Sequence, residues 1–360
     1  YDEAYRLQTV VDPLERTYAH GYDGNGNRTS LVHPNGVSST YAYDSRNRLT
    51  SLSTATGGGE IVQSYVYSLS PAGNRDRIVE HDGTQRDYGY DALDRLAAET
   101  VTRGADPVHR NTFAYDPAGN RQRQTRQQQS GPETILDYDY DDRDRLLTEG
   151  SVAYDWDENG NLSSRSGPEG ATFTWDAEGR LTRVQLAAGG SVEHAYDADG
   201  NRIRTKVVPP AGPPAVTDYL VDPSQRTSVV QGTGLSQVVA ETDGATGDLL
   251  AYHVRGNDLL ATMRPAPGGG WITRNFHGDA LGSVRVLTDE SGDVTDRQVD
   301  ALLEQRDRLV QRDRLALELA DDRLQAAQLL LDGRLVGGVA AGRRAVRPVD
   351  RDLAHASSSG

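Results

Sequence analysis

One short phrase recurs ten times down the first two hundred residues of this chain. It consists of an aromatic, Asp, two or three variable residues, a Gly-Asn or Asp/Asn turn, then Arg and often Leu. It can be read at Tyr22-Asp23 to Gly26-Asn27-Arg28, Tyr43-Asp44 to Asn47-Arg48-Leu49, Tyr90-Asp91 to Asp94-Arg95-Leu96 and Tyr115-Asp116 to Gly119-Asn120-Arg121. It returns at Tyr140-Asp141 to Asp144-Arg145-Leu146, Trp156-Asp157 to Gly160-Asn161-Leu162, Trp175-Asp176 to Gly179-Arg180-Leu181 and Tyr196-Asp197 to Gly200-Asn201-Arg202. Tyr1-Asp2 to Arg6-Leu7 opens the series, and Tyr67 to Gly73-Asn74-Arg75 reads as a degenerate copy with Ser68 in the Asp position. A period this regular means one supersecondary unit stacked on its neighbours.

The unit reads as a β-hairpin. A second aromatic sits two residues before the first in Tyr41/Tyr43, Tyr65/Tyr67, Tyr88/Tyr90, Phe113/Tyr115, Tyr138/Tyr140 and Phe173/Trp175. A spacing of two puts both rings on one face of a strand. The Asp can accept hydrogen bonds from the amides of its own turn, and Gly or Asn supplies a positive φ. After the turn the chain alternates again, as in Leu49-Thr50-Ser51-Leu52, which makes the return strand. Stacked copies are expected to bring rings of neighbouring strands together. The repeated Arg residues, spread among Asp, are read as cross-strand partners.

This phrase resembles the YD repeat of Rhs proteins, of the C components of insecticidal toxin complexes, and of teneurins. The repeats carry the resemblance over residues 1–206. A second signature, Phe276-His277-Gly278-Asp279-Ala280-Leu281-Gly282-Ser283-Val284-Arg285-Val286-Leu287-Thr288-Asp289, resembles the start of the Rhs repeat-associated core. The resemblance implies an all-β fold, an elongated, spiralling antiparallel sheet of YD hairpins forming part of a hollow shell. It also implies a container for a C-terminal toxin or effector, in a protein that is secreted or on the cell surface. About ten repeats are few for that architecture, so an open, twisted sheet with exposed edges is expected.

Composition fits a sheet wetted on one face. Only 36% of residues are hydrophobic and mean hydropathy is −0.64. A net charge of −15 speaks against a nucleic-acid surface, which needs clustered Lys and Arg. There is no Cys and so no disulfide or thiolate chemistry, and no run of eighteen apolar residues that would make a membrane span. The chain starts inside a repeat and its single Met is Met263, as expected of a fragment.

Four segments follow from these patterns: a YD-repeat sheet at 1–206, a divergent β-rich continuation at 207–270, the core start at 271–297, and an atypical tail at 298–360. Pro209, Pro210, Gly212, Pro213 and Pro214 break the regular repeats, and Asp243-Gly244 and Arg255-Gly256-Asn257 mark later turns. The tail contains none of the 17 Tyr, 3 Trp and 3 Phe. The chain has a single Lys, Lys206, among 38 Lys and Arg, a mark of GC-rich coding DNA in which a shifted frame yields such an alphabet. The tail is therefore expected to be out-of-frame sequence or a replaced terminus. A competing reading is a helix: Leu303, Val310, Leu317, Leu324 and Leu331 fall seven apart, although Asp307, Arg314, Asp321 and Gln328 spoil a coiled-coil seam.

No catalytic, cofactor or metal site is expected. His277 and Asp279 could be an acid–base couple but are read as structural, and no Gly-x-Ser-x-Gly elbow surrounds any Ser. Asp23-Gly24-Asn25-Gly26-Asn27, Asp157-Glu158-Asn159-Gly160-Asn161 and Asp197-Ala198-Asp199-Gly200-Asn201 look like calcium loops. Their Gly sits at position four rather than six, and position twelve is Pro34, Pro168 or Val208, so they read as turns. The eight His lack zinc spacing. The leading expectation is a non-catalytic shell fragment whose partner is a toxin or effector segment absent from this chain; an acidic inner wall would suit a basic cargo, but the sequence does not tell which face carries the charge. The alternatives are a surface adhesin binding carbohydrate through exposed rings, and a glycan-processing enzyme on a β-scaffold.

Overall fold

The computed structural model describes residues 1–129, 131–222 and 236–297. They lie within a compact unit, Tyr1–Leu317, and a second unit, Glu318–Gly360, falls outside the described residues. The out-of-frame and helical readings of 298–360 also fall outside them. Among the described residues, twenty-six strands, numbered β1 to β26 in chain order, form one sheet. Every strand pairs antiparallel with the strands before and after it in the chain, so the topology is a pure meander. The all-β expectation therefore holds, and the sheet is unclosed, with β1 (Thr9–Val11) and β26 (Val294–Arg297) not paired to each other. The Pro-rich break leaves the meander unbroken: β19 (Arg202–Val208) and β20 (Ala215–Asp222) pair on either side of it.

Locally the strands follow period-two burial. In β6 (Ile61–Leu69), Tyr65 and Tyr67 are buried between exposed Val66 and Ser68. The wetted face carries cross-strand ion pairs, Arg77–Asp87, Arg123–Asp137 and Arg204–Asp218, each at 2.5 Å. The Arg of the repeat phrase behaves otherwise: Arg48, Arg95, Arg145 and Arg180 pair with the Asp of their own turn, four residues before, and not across strands as the sequence reading had it.

One feature of the packing links the two ends of the sheet. One buried cluster joins Tyr18 and Leu31 to Val254, Leu260, Ala261 and Met263, more than two hundred residues away. The contacts run in order along β24 (Trp271–Gly278). Thr273 accepts from Arg16, Asn275 meets Tyr18 and His33, the Gly278 carbonyl accepts from Gln63, and just beyond the strand Ala280 N–H donates to Tyr67 Oη. These partners lie on or beside β2 (Thr17–Tyr22), β3 (Arg28–Val32) and β6, with β4 (Ser38–Tyr43) and β5 (Leu49–Ala55) between β3 and β6 in the meander. One strand thus crosses several, as in face-to-face packing at a steep angle. The start and end of the meander overlap and supply each other's core.

Candidate functional site

Two constructions dominate the molecule, a ladder of turns along one edge of the sheet and a buried seam where its two ends overlap. The ladder is built from the repeat. In each copy the Asp N–H donates to the carbonyl four residues on, and the amide three residues on donates back to the Asp carbonyl, as in Asp197 N–H to Asn201 O at 2.9 Å and Gly200 N–H to Asp197 O at 3.1 Å. The carboxylate then accepts further N–H groups: Asp44 Oδ1 takes the amides of Arg46 and Arg48, and Oδ2 takes Arg48 Nε at 2.7 Å. The residue three after Asp sits at positive φ, Gly200 at 83° and Asn47 at 59°. Gly, Asn and Asp tolerate that region because the penalty on a Cβ is absent or offset by local hydrogen bonding.

Successive turns alternate between two forms. In the first, residue four after Asp is Arg: Arg6, Arg48, Arg95, Arg145 and Arg180 each reach the next turn and donate to the backbone carbonyl of Asp23, Ser70, Asp116, Asp157 and Asp197 respectively. In the second it is Asn, whose Nδ2 donates to the side chain at the positive-φ position of the next turn. These links run from Asn27 to Asn47 at 2.9 Å, and from Asn74 to Asp94 and Asn120 to Asp144 at 2.7 Å. The strained position therefore carries Asn or Asp where a preceding Asn needs an acceptor. After Asn161 the position holds Gly179, which has no side chain to offer.

The motif ring closes the unit. Tyr22, Tyr43, Tyr90, Tyr115 and Tyr196 donate their hydroxyls to the carbonyls of Leu7, Arg28, Arg75, Leu96 and Leu181, and Trp156 and Trp175 donate Nε1–H to Leu146 and Leu162, all within 2.7–2.9 Å. Tyr and Trp interchange because both combine an apolar body with a donor at the far end, which Phe lacks. Arginine is the recurrent partner of the rings: Arg6 covers Tyr22, Arg95 covers Tyr115, Arg145 covers Trp156 and Arg180 covers Tyr196, at 4.7–5.9 Å. Rings of successive repeats do meet in one cluster, where Tyr41 and Tyr88 pack against Tyr65 and Tyr67, while elsewhere a guanidinium from the turn covers the ring face. The degenerate copy is also shifted: Ser70, not Ser68, replaces the Asp, accepting from Asn74 N–H at 3.1 Å, and Leu69 takes the ring's place opposite Arg75.

These bonds hold the turn carboxylates in their charged form. The Asn201 carboxamide first, then backbone amides, keep Asp197 below the usual carboxylate range, and the Arg48 amide does most for Asp44. The three calcium-like loops are the same turns. Asp23 and Asp197 take two amides on Oδ1 and a carboxamide on Oδ2, and Asp157 binds the amide and carboxamide of Asn161 in the same way. The repeat Asp residues thus line an edge, spent on their own turns.

The seam has a polar heart. His33 and His277 are 1% and 2% exposed, with ring centroids 4.6 Å apart, and Tyr18 packs edge-on to His33. His277 Nε2 lies 2.8 Å from Thr288 Oγ1, while Asn275 Oδ1 accepts from Tyr18 and faces His33 Nδ1. His277 Nδ1, His33 Nε2 and both ring nitrogens of buried His20 have no hydrogen-bond partner among the described residues. Burial pushes His33 down to about 4 and, with His33 beside it, His277 down to about 3, so all remain neutral near neutrality. Asp279, the other half of the candidate couple, is turned away into its own hairpin, where Leu281 and Ser283 amides and a two-pronged Arg285 occupy its carboxylate. The structure does not bring His277 and Asp279 together as an acid–base pair.

Comparison with known proteins agrees with this architecture. A family model for the teneurin YD-shell matches residues 73–209, and one for the RHS repeat matches residues 1–38 and 22–59. The chain belongs to the Rhs/YD-repeat family. Its relatives include the tRNA3(Ser)-specific nuclease WapA of Bacillus spizizenii, 32% identical over 294 residues, a match covering 80% of this chain and 11% of that protein. The tRNA nuclease WapA of Bacillus subtilis strain 168 is 31% identical over 302 residues, covering 82% and 12%. The chain thus spans about a ninth of these relatives. Among solved structures, the crystal structure of TcdB2-TccC3-TEV shares the fold with a TM-score of 0.61 at 16% identity, covering 83% of this chain and 17% of that one.

Within this YD-repeat chain a second polar cluster escaped the sequence reading. Buried Arg86 donates to Glu80 at 2.9 Å and approaches Glu99 at 4.0 Å, and Glu99 also binds Asn111 at 3.1 Å and faces His109 at 3.5 Å. Desolvation alone would raise Glu99, but His109, Asn111 and Arg86 outweigh it and hold the carboxylate below its usual range. The only signal in the sequence was the alternation of charged with apolar residues in those strands, which a wetted strand shows equally.

Proposed function

We propose that this chain is a non-catalytic section of a YD-repeat shell that encloses or presents a C-terminal effector of a toxin, in a protein that is secreted or displayed at the cell surface. The observation that supports this most is the spending of the repeat carboxylates. Residues that could serve as acids, bases or cation ligands are consumed by turn and ladder bonds, which suits a wall rather than a catalyst. The continuous meander gives such a wall its extent, and the WapA relatives, named as nucleases, are of the toxin kind. Paired rings that could have bound carbohydrate have their faces or tips engaged, Tyr41 under Arg28 and Tyr43 on the Arg28 carbonyl, which favours the wall over the adhesin.

The test uses the full-length gene product. Its effector segment should resist limited proteolysis while the shell is intact and be degraded once Asp44, Asp91, Asp141 and Asp176 are replaced together by Ala. Effector cleavage at the same rate in both proteins would overturn the proposal. So would turnover of any substrate by residues 1–297 that a single Asp→Asn change abolishes.

A further inference from the structure

The seam combines features that a purely structural core does not need. Apolar residues would fill it more cheaply than three imidazoles, four of whose ring nitrogens lack hydrogen-bond partners. The histidines come from both of the overlapping ends, His20 and His33 beside β2 and β3, and His277 on β24. No carboxylate facing them is free to balance an added proton. Asp12 is held by Arg16, Asp258 by Arg28 and Asp279 by Arg285, while Glu290 accepts from Thr273 N–H. Around the imidazoles themselves stand Tyr18, Asn275 and Thr288, and the same packed elements also carry Tyr41, Tyr65, Tyr67 and Arg297. Of these, Tyr18 is pushed up to about 12 by burial, and Arg297 caps the Val62 carbonyl from β26. A proton on His33 would sit 4.6 Å from a second imidazole, inside a buried layer.

We propose that this cluster is an acid-operated latch: protonation of the seam histidines releases β22–β26 from β2–β6, opening the overlap while the turn ladder stays closed. The elements that would move are β22 (Leu249–Arg255) through β26, including β23 (Leu259–Pro265) and β25 (Val284–Thr288). The inference does not depend on what the shell contains.

The sign follows from linkage. The imidazoles are neutral in the closed seam, with His33 at about 4 and His277 at about 3, and would titrate near 6.5 once exposed. Their contribution to closure is fully present above pH 6.5 and is lost as pH falls from there towards their closed-state values. Each such group multiplies the opening equilibrium by roughly tenfold per pH unit in that interval, so His20, at about 4, His33 and His277 together give about a thousandfold. The ladder carboxylates are held below their ordinary 3.8, as at Asp44 and Asp197, so the ladder keeps its charges until more acid conditions. A window between about pH 6 and pH 4.5 therefore separates the two constructions.

Hydrogen exchange on the full chain, corrected for the intrinsic pH dependence of exchange, reads both at once. Protection in residues 17–33 and 271–288 should fall by up to about a thousandfold per pH unit through this window, while residues 171–186 hold theirs. The double variant His33→Gln, His277→Gln should lose most of this slope, keeping only the roughly tenfold per pH unit that His20 contributes. If that variant does not fold, the wild-type profile decides alone. Seam protection unchanged down to pH 4.5, parallel loss in residues 171–186, or a double variant that keeps the wild-type slope would each overturn the latch.

Discussion

The ladder and the seam sit in one sheet yet are held by opposite means. The ladder repeats one local circuit, in which Asp, the positive-φ residue and the Arg or Asn lie within five residues, and each turn touches only the next. The seam is assembled from residues more than two hundred positions apart, such as Tyr18 with Asn275 and Gln63 with Gly278. In a stacked repeat, damage to one unit is shared only with its neighbours, whereas a contact between distant ends is made once and closes the entropy of the whole intervening chain. The molecule should therefore fail locally along the ladder and cooperatively at the seam.

That contrast can be broken at its strongest point first. Met263 is fully buried in the seam, and Met263→Ala should cost about 2–5 kcal/mol in denaturant unfolding. The loss should show as early exposure of both 17–33 and 249–288; a change confined to β23 would mean the two ends are not coupled. Next comes Asp12, a buried copy of the turn circuit that touches the seam through Arg16. Asp12→Ala strips acceptors from Leu14 N–H, Arg16 N–H and Arg16 Nε, and should cost about 1–3 kcal/mol.

Two smaller changes probe the ladder alone. Gly200 has φ +83° with open space around its Cβ position, so Gly200→Ala should cost about 1–2 kcal/mol through backbone conformation rather than collision. Faster exchange should stay within residues 196–202. Tyr196→Phe removes the donor to the Leu181 carbonyl and should cost about 0.5–1.5 kcal/mol, whereas Tyr196→Trp should restore most of it, as Trp175 does one repeat earlier. If Phe and Trp at 196 behave alike, the ring's polar tip contributes nothing and area burial explains the motif.

Much of the ladder was legible in the residues. Aromatic, Asp and Gly or Asn at fixed spacing predicted hairpins and self-capping turns, and those formed, because the circuit closes within five residues and depends on little else. The alternation of Asp-x-x-x-Arg-Leu with Asp-x-x-Gly-Asn-Arg is also present in the sequence, yet its meaning was hidden. Only the stacking of turns shows that Arg48 looks for a carbonyl on Ser70 and Asn120 for the carboxylate of Asp144. The copy at Tyr67 was misregistered by two residues for a related reason: without Asp, the aromatic was the only anchor, and Tyr67 belongs to the core rather than to the turn. Spacing also cannot reveal which rings meet rings and which meet a guanidinium.

The sequence by itself determined the strands, the edge on which the turns fall and the spending of their carboxylates, because each rests on bonds between residues a few positions apart. The tertiary structure alone decided that the sheet doubles over, that Phe276 to Asp289 lies across its beginning, and that His20, His33 and His277 share one buried layer. Those contacts depend on the accumulated twist of more than twenty strands, a quantity to which every residue contributes a little and none can be read to specify.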